Sequence, residues 1–357
     1  MRFAARTLTC CALMGAFVIQ HPHCGRSYDH HQLSLVYLEK GQYRRALVET
    51  ERAQRLSGPR AAVHMVSAMA HLGLDDFESA VGQMRVALGL EPANAELYRA
   101  LRGICAQQNH FELARATFDD LLRLDPENDL ARASLGWAYM QLGDDERALD
   151  LLQRAAGSGG LFARLQLARL HLKAERIDDA ITTLEAALAS DPGNAALLLT
   201  LGECHLLRGE EERANQRFIA ALGASQDPRQ TANAIARTYY SSGLRQRAIE
   251  YYELALRSGP PLPELLNNLA WAYAEEGVKL ERGLQLSMLS LKAHPDSPVF
   301  LDTYAELYFQ LGHPDRALAV IRRAIEVEPE DGQHYSYLLE QEDKFSRAVA
   351  DSAGTDL

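Results

Sequence analysis

Five residues near the N-terminus carry metal-ligand atoms: His21, His23 and Cys24, then His30 and His31. Imidazole nitrogens and thiolates are ligands that zinc accepts. Their spacing fits no zinc pattern, and neighbouring residues such as His30 and His31 point to different sides of a helix. No metal or other cofactor is expected. His71 and His205 are the next groups able to move a proton, but their position along the chain is elsewhere filled by Tyr37, Tyr139, Tyr239 and Tyr273. That exchange predicts a polar-tipped ring packed between helices. The acidic pairs Asp75-Asp76, Asp144-Asp145 and Asp178-Asp179 open helical runs, where the positive end of a helix accounts for them without acid–base work. There is no G-x-S-x-G, no P-loop and no G-x-G-x-x-G. Cys10, Cys11, Cys24, Cys105 and Cys204 complete the reactive inventory. Cys105 and Cys204 are expected to be small buried apolar side chains, not a disulfide. The sequence therefore predicts no catalytic residues and no enzyme.

The elements that carry these residues repeat. Ala46, Ala80, Ala114 and Ala148 stand 34 residues apart; after one step of 32 the ladder resumes at Ala180, Ala214 and Ala248. Seven residues behind it run Ala53, Ala87, Leu121, Ala155, Ala187, Ala221 and Ala255. A fixed period of this size means one supersecondary unit copied many times, each copy burying its neighbour's apolar face. In residues 129–160, Leu135, Gly136 and Tyr139 mark a first helix and Leu142-Gly143 closes it. Asp144-Asp145 restarts the chain, and Ala148, Leu151, Leu152 and Ala155 recur at helical spacing. Prolines mark most joints, as at Glu91-Pro92, Asp125-Pro126, Asp191-Pro192 and Glu328-Pro329, where proline ends one helix and is expected to start the next.

This combination of small, aromatic, glycine and proline positions resembles the tetratricopeptide repeat family, of a bacterial envelope-associated type. The resemblance implies an all-α, right-handed α-solenoid of helix-turn-helix repeats. Nine copies are placed at 27–60, 61–94, 95–128, 129–160, 161–194, 195–228, 229–262, 263–297 and 298–331. In the second copy Gly73 comes early, before Leu74-Asp75-Asp76; in the eighth, an extra residue follows Gly277 and Gly283 replaces the alanine. Both are read as longer turns. The copy ending in Gly157-Ser158-Gly159-Gly160 is two residues short and is read as a tight turn. Residues 332–350 form an amphipathic helix that caps the last copy, and 351–357 a disordered tail.

By the same resemblance, the first helix of each copy lines a groove that holds a partner. Its candidate residues are Met65, Met69, Arg99, Trp137, Met140 and Arg169, then Asn233, Arg237, Tyr240, Asn267 and Trp271. Asp302 and Glu306 follow in the ninth copy. The row is apolar in the early copies and polar from the seventh on. The lysine–asparagine clamp of chaperone-binding members is not recognisable, since His31 and Leu35 stand where its residues would be. A hydrophobic helix or extended peptide suits the apolar half.

Net charge is −11, and residues 1–26 contribute Arg2, Arg6 and Arg26 with no acid. The repeats are thus more acidic still, which argues against nucleic acid as a partner. Arg2 and Arg6 precede an apolar run from Leu8 to Ile19, the pattern of a secretory leader, too short for an ordinary membrane span. The leading expectation is a non-enzymatic scaffold or adaptor that binds protein or peptide partners in a multiprotein assembly. Its place would be the bacterial cell envelope or periplasm, in polysaccharide export, pilus assembly or secretion, with membrane association through the N-terminus. Two alternatives are a cytoplasmic regulatory adaptor and a glycan-guiding subunit that uses Trp137 and Trp271.

Overall fold

The computed structural model describes residues 25–107 and 109–354, with side chains from His30 to Asp351. The leader residues through Cys24, and with them His21 and His23, lie outside the described residues. Among the described residues there are nineteen α-helices and no strand. Eighteen form nine pairs. The first unit, which runs to Thr183, holds α1 (Gly25–Glu39), α2 (Tyr43–Ser57), α3 (Ala61–Gly73), α4 (Phe77–Leu90), α5 (Ala95–Ala106) and α6 (Phe111–Leu124). It continues with α7 (Asp129–Leu142), α8 (Asp145–Gly157) and α9 (Leu161–Lys173). The boundary falls inside α10 (Ile177–Leu188). The second unit holds α11 (Ala195–Leu207), α12 (Glu211–Ala224), α13 (Pro228–Ser241), α14 (Arg245–Arg257), α15 (Pro263–Glu276) and α16 (Leu280–Ala293). It ends with α17 (Pro298–Gln310), α18 (Pro314–Val327) and the unpaired α19 (Tyr335–Gly354).

The turn inside each pair closes the same way nine times. The carbonyl of the eleventh residue of the copy accepts from the amide five residues on: Tyr37 from Gln42 at 2.8 Å, His71 from Asp76 at 3.0 Å, His205 from Glu210 at 2.8 Å, Tyr239 from Leu244 at 2.9 Å. This bond satisfies a carbonyl that the helix end would otherwise leave open. It needs one left-handed residue, supplied by glycine in most copies and by Asp75, Asn109 and Glu175 in three others. The eighth copy uses two, Gly277 at φ 63° and Lys279 at φ 48°, which accommodates its extra residue. His71 and His205 reinforce the same turn through their rings, which lie 3.1 Å from Asp76 and 2.7 Å from Glu210.

The joints between pairs depart from expectation. Pro92, Pro126 and Pro192 do not start a helix; each precedes by two residues an asparagine that caps one. Asn94, Asn128 and Asn194 accept from the amides of Glu96, Ala131 and Leu197 at 3.1, 2.9 and 3.2 Å. A side-chain oxygen satisfies an open helical amide more directly than proline, which only removes one. Proline does open α13, α15, α17 and α18. Gly159, at φ 92°, turns the short joint between α8 and α9. At the far end α19 runs through Gly354, so the first residues of the expected tail continue the helix.

Packing is local within each unit: helices touch neighbours one or two places away in the chain. Every alanine of the leading ladder is fully buried, and so are all six of the trailing alanines. In the first unit Met84, Leu88, Leu97, Leu101, Ile104 and Phe118 form a continuous core, with the Tyr98 and Phe118 rings 6.1 Å apart. In the second, Phe218 meets Tyr239 edge-on at 5.2 Å, and Tyr239 stacks on Tyr251 at 5.4 Å. Two glycines exist for these rings. A Cβ on Gly73 would stand 2.5 Å from Tyr43, and one on Gly202 would collide with Phe218. Gly73 comes early in its turn because it is a packing residue, not the turn residue.

Gly202→Ala should therefore lose about 1–3 kcal/mol of stability. Gly103→Ala, within α5 and with open space around its Cβ, should be neutral or gain up to about 1 kcal/mol. Urea titrations followed by circular dichroism compare the two; equal losses would mean that Phe218 can move aside.

Candidate functional site

The polar row of the second unit is built by one position repeated on three first helices. The fifth residue of the copy is Asn233 on α13, Asn267 on α15 and Asp302 on α17. Asn267 is only 3% exposed and Asp302 9%. In each of the three, Oδ1 is buried and has no hydrogen-bond partner. An unpaired buried acceptor carries a desolvation penalty of about 1–3 kcal/mol. Asn267 and Asp302 both line a cavity of about 850 Å³.

Aromatic side chains form much of its wall. Trp271 is half-buried on α15, and its indole N–H donates to the Tyr240 hydroxyl at 2.8 Å. Tyr240 donates to Glu275, which also accepts from Arg245 at 3.1 Å. Burial and then the bond to Glu275 push the Tyr240 phenol up to about 12, so it holds its proton as a donor. Tyr252 and Tyr337 complete the aromatic lining. Tyr337, Leu338 and the preceding His334 bring the start of α19 to one side of the cavity.

Asp302 has the most altered carboxyl among these residues. Burial, and then the charge of Glu306, push it up to about 7; Lys344 and a hydrogen bond with Tyr337 act in the other direction. Lys344 cannot neutralise it fully. Its Nζ donates to Glu306 at 2.7 Å and sits 4.6 Å from the Phe309 ring centroid. A lysine on α19 is thus committed to the neighbouring carboxylate.

Four expected site residues meet here: Arg237, Tyr240, Asn267 and Trp271. Asn233 is half-buried in the same row but does not line the cavity. The six expected residues of the first unit do not form part of it. Met65 and Met69 are buried in the core of that unit at 8% and 3% exposure, covered by adjoining helices. Trp137 is half-buried, edge-on to Phe111 at 5.9 Å. Met140 packs half-buried beside the Ala148–Leu152 cluster. Arg99 is exposed and pairs with Glu96, and Arg169 is exposed. Sequence reasoning missed Tyr337 and Lys344. Their signal was their position beside the Leu338 and Phe345 stripe of α19, which is buried at 1% and 0%.

The other reactive groups are accounted for structurally. Cys105 and Cys204 are free and buried, and burial pushes both thiols up to about 12. His30 meets Glu49 at 2.5 Å. Among the described residues no group of three or more histidine, cysteine or acidic residues could hold a metal ion, and no helix is long and apolar enough to cross a membrane.

Helix pairs of this pattern, with a groove-side cavity, define a protein–protein interaction scaffold of repeated helical hairpins. Residues 106–160, 171–237, 231–264 and 298–340 each match a family profile described as Tetratricopeptide repeat. The chain belongs to the tetratricopeptide repeat family. It is 28% identical over 148 residues to Superkiller complex protein 3 of Mus musculus, a match covering 40% of this chain and 10% of that protein. It is 34% identical over 116 residues to Peptidyl-prolyl cis-trans isomerase FKBP4 of Homo sapiens, covering 28% of this chain and 25% of that protein. The chain thus matches a quarter or less of the length of these two relatives. Among solved structures, the APC/C hetero-tetramer Cut9-Hcn1 is similar in fold at TM-score 0.51 and 16% identity, over 88% of this chain and 63% of that one.

A carboxyl whose pKa rises on folding weighs against the fold above that pKa and ceases to do so below its ordinary value. With Asp302 moved from 3.8 to about 7, its contribution to stability falls as pH climbs through that window. Asp302→Asn should melt several degrees above the parent at about pH 8 and together with it at about pH 4. A variant less stable than the parent at the higher pH would show that ionised Asp302 supports the fold.

Proposed function

We propose that this protein is a non-enzymatic adaptor that holds an extended segment of a partner protein against the first helices of its second unit. The observation that carries this reading is that Asn267 and Asp302, two residues lining one aromatic-walled cavity, each hold a buried oxygen, Oδ1, without a hydrogen-bond partner. Buried polar atoms in a folded protein are nearly all paired, so a ligand that supplies donors completes this wall. An extended segment does so along its whole length, because each non-proline residue brings one amide donor. The fifth-position row offers acceptors at the helix-to-helix interval along which such a segment would lie.

The setting that fits best is a multiprotein assembly of the bacterial envelope, such as polysaccharide export, pilus assembly or secretion. Support comes from the two arginines and apolar run of residues 1–19, which have the pattern of an export signal, and from the likeness of Leu266-Asn267-Asn268-Leu269-Ala270-Trp271 and Leu301-Asp302-Thr303 to the C-terminal repeats of bacterial envelope-assembly proteins. Superkiller complex protein 3, by its name a member of a complex, carries a related stretch. Membrane association would run through the N-terminal residues.

Crosslinking and pull-down of the full-length tagged protein from its native cells, with fractions kept separate, tests both halves. Recovery in the envelope fraction with a few stoichiometric proteins, lost on Asn267→Ala with Trp271→Ala, is the expected result. Recovery in the cytosol alone, with the first residues intact, removes the envelope setting and leaves a soluble adaptor. Partners retained by the double variant would place the binding face elsewhere.

A further inference from the structure

We propose that the cavity of the second unit is a subsite for one cationic side chain, an arginine or lysine carried on the partner's segment, with Asp302 as its counter-ion. The inference rests on the reading of this unit as a peptide groove and names what that groove selects.

The first argument is the donor and acceptor inventory. Asn267 Oδ1 and Asp302 Oδ1 are both acceptors, both buried and both unpartnered. Guanidinium and ammonium groups carry donors and no acceptor, so either group matches both oxygens once the two side chains turn toward the cavity that their residues line. A carboxylate would add a third acceptor beside them. An apolar side chain would leave both unpaired.

The walls fit the same ligand. Trp271, Tyr240, Tyr252 and Tyr337 line the cavity, and aromatic faces attract a cation held against them. Their hydrocarbon also suits the alkyl stem that carries the charge. At about 850 Å³, the space takes such a side chain together with its flanking main chain.

Charge around Asp302 points the same way. On its own helix stands Glu306, and from α19 come Lys344, bound to Glu306 at 2.7 Å, and Tyr337, with His334 at the rim. From α15 come the neutral Asn267 and Glu275, the latter engaged by Tyr240 and Arg245. No charged residue of α16 or α18 lines the cavity. Arg237 of α13 and Glu203 of α11 line the same cavity, and neither is among the groups that act on Asp302. Among the described residues, the cation that acts on Asp302 is Lys344, and it is shared with a second carboxylate. A cation entering the cavity draws Asp302 down from about 7, so binding releases a proton and strengthens as pH rises through neutrality.

The test uses the full chain and random linear peptides displayed for selection. The best selected peptide is then synthesised with its basic residue and with norleucine in that place. Three results are expected. The selected peptides share an arginine or lysine at one position. Norleucine weakens binding to the parent about tenfold but binding to Asp302→Asn by less than about threefold. Affinity of the basic peptide rises with pH for the parent and for His334→Gln, and is flat for Asp302→Asn. Trp271→Leu, a second variant, should lose the same preference while its circular dichroism matches the parent's.

Selected peptides without a fixed basic position, or a norleucine penalty equal in parent and Asp302→Asn, would overturn the cationic subsite and leave the groove. Agmatine, a guanidinium with no main chain, is the third probe. If it binds as tightly as the peptide, the cavity takes a small free cation and docking of a partner segment through it is overturned. Selection of no peptide at all removes the groove reading, and the subsite with it.

Discussion

Close approach of helices through alanine is the constraint on which the structure depends. At the leading position of seven copies the side chain is a single methyl with no exposed surface. Helix axes can then approach to the short end of the usual packing range. Every larger side chain is placed in relation to that contact: Phe218 lies over Gly202, Tyr43 over Gly73, and Leu152 against Gly136. Because the small residues recur with the copy, so does the distance, and the aromatic stacks of the second unit follow from it.

That regularity also explains how a site arises without a dedicated domain. A fixed pairing geometry puts the fifth residue of each first helix in one row. Where that residue is apolar, as at Met65, neighbouring helices cover it and it joins the core. Where it is Asn267 or Asp302, burial leaves an acceptor unpaired and raises the Asp302 carboxyl. The same position is thus core packing in one unit and part of a cavity wall in the other. Helix α19 adds the missing side: its buried Leu338 and Phe345 dock it, and Tyr337 and Lys344 come with them.

Much of this was legible in the sequence because period and small-residue spacing are properties of the chain itself. The helix pairs, the glycine-closed turns and the buried free cysteines could be read directly, whereas Asp75, expected at a helix start, is with Asn109 and Glu175 the left-handed residue of its turn. The joints could not, since proline was given the helix start that Asn94, Asn128 and Asn194 take by capping. Exposure was harder still. A groove position is open or closed according to how neighbouring helices lean on it, which no residue type reports, and so Met65 and Met69 were expected at a surface. Asn267, Trp271, Arg237 and Tyr240 were placed on one side by their register. That Asp302 would meet Tyr337 and Lys344 depends on how α19 docks, and an amphipathic stripe does not specify the neighbour it will meet.

The local character of the packing reaches into how such a chain comes to be folded. Helices within a unit pack mainly against others one or two places away, so each closes short loops and little search is needed to find its partner. Low contact order of this kind favours fast folding, and in stacked repeats order can start at any copy and spread. During synthesis each emerging hairpin meets its predecessor already in place. The cavity is different in kind: its walls come from α11, α13, α14, α15, α17 and the start of α19 together. During synthesis it cannot close before α19 has emerged, and a ribosome pausing there would hold out ordered helix pairs around a cavity still lacking one side.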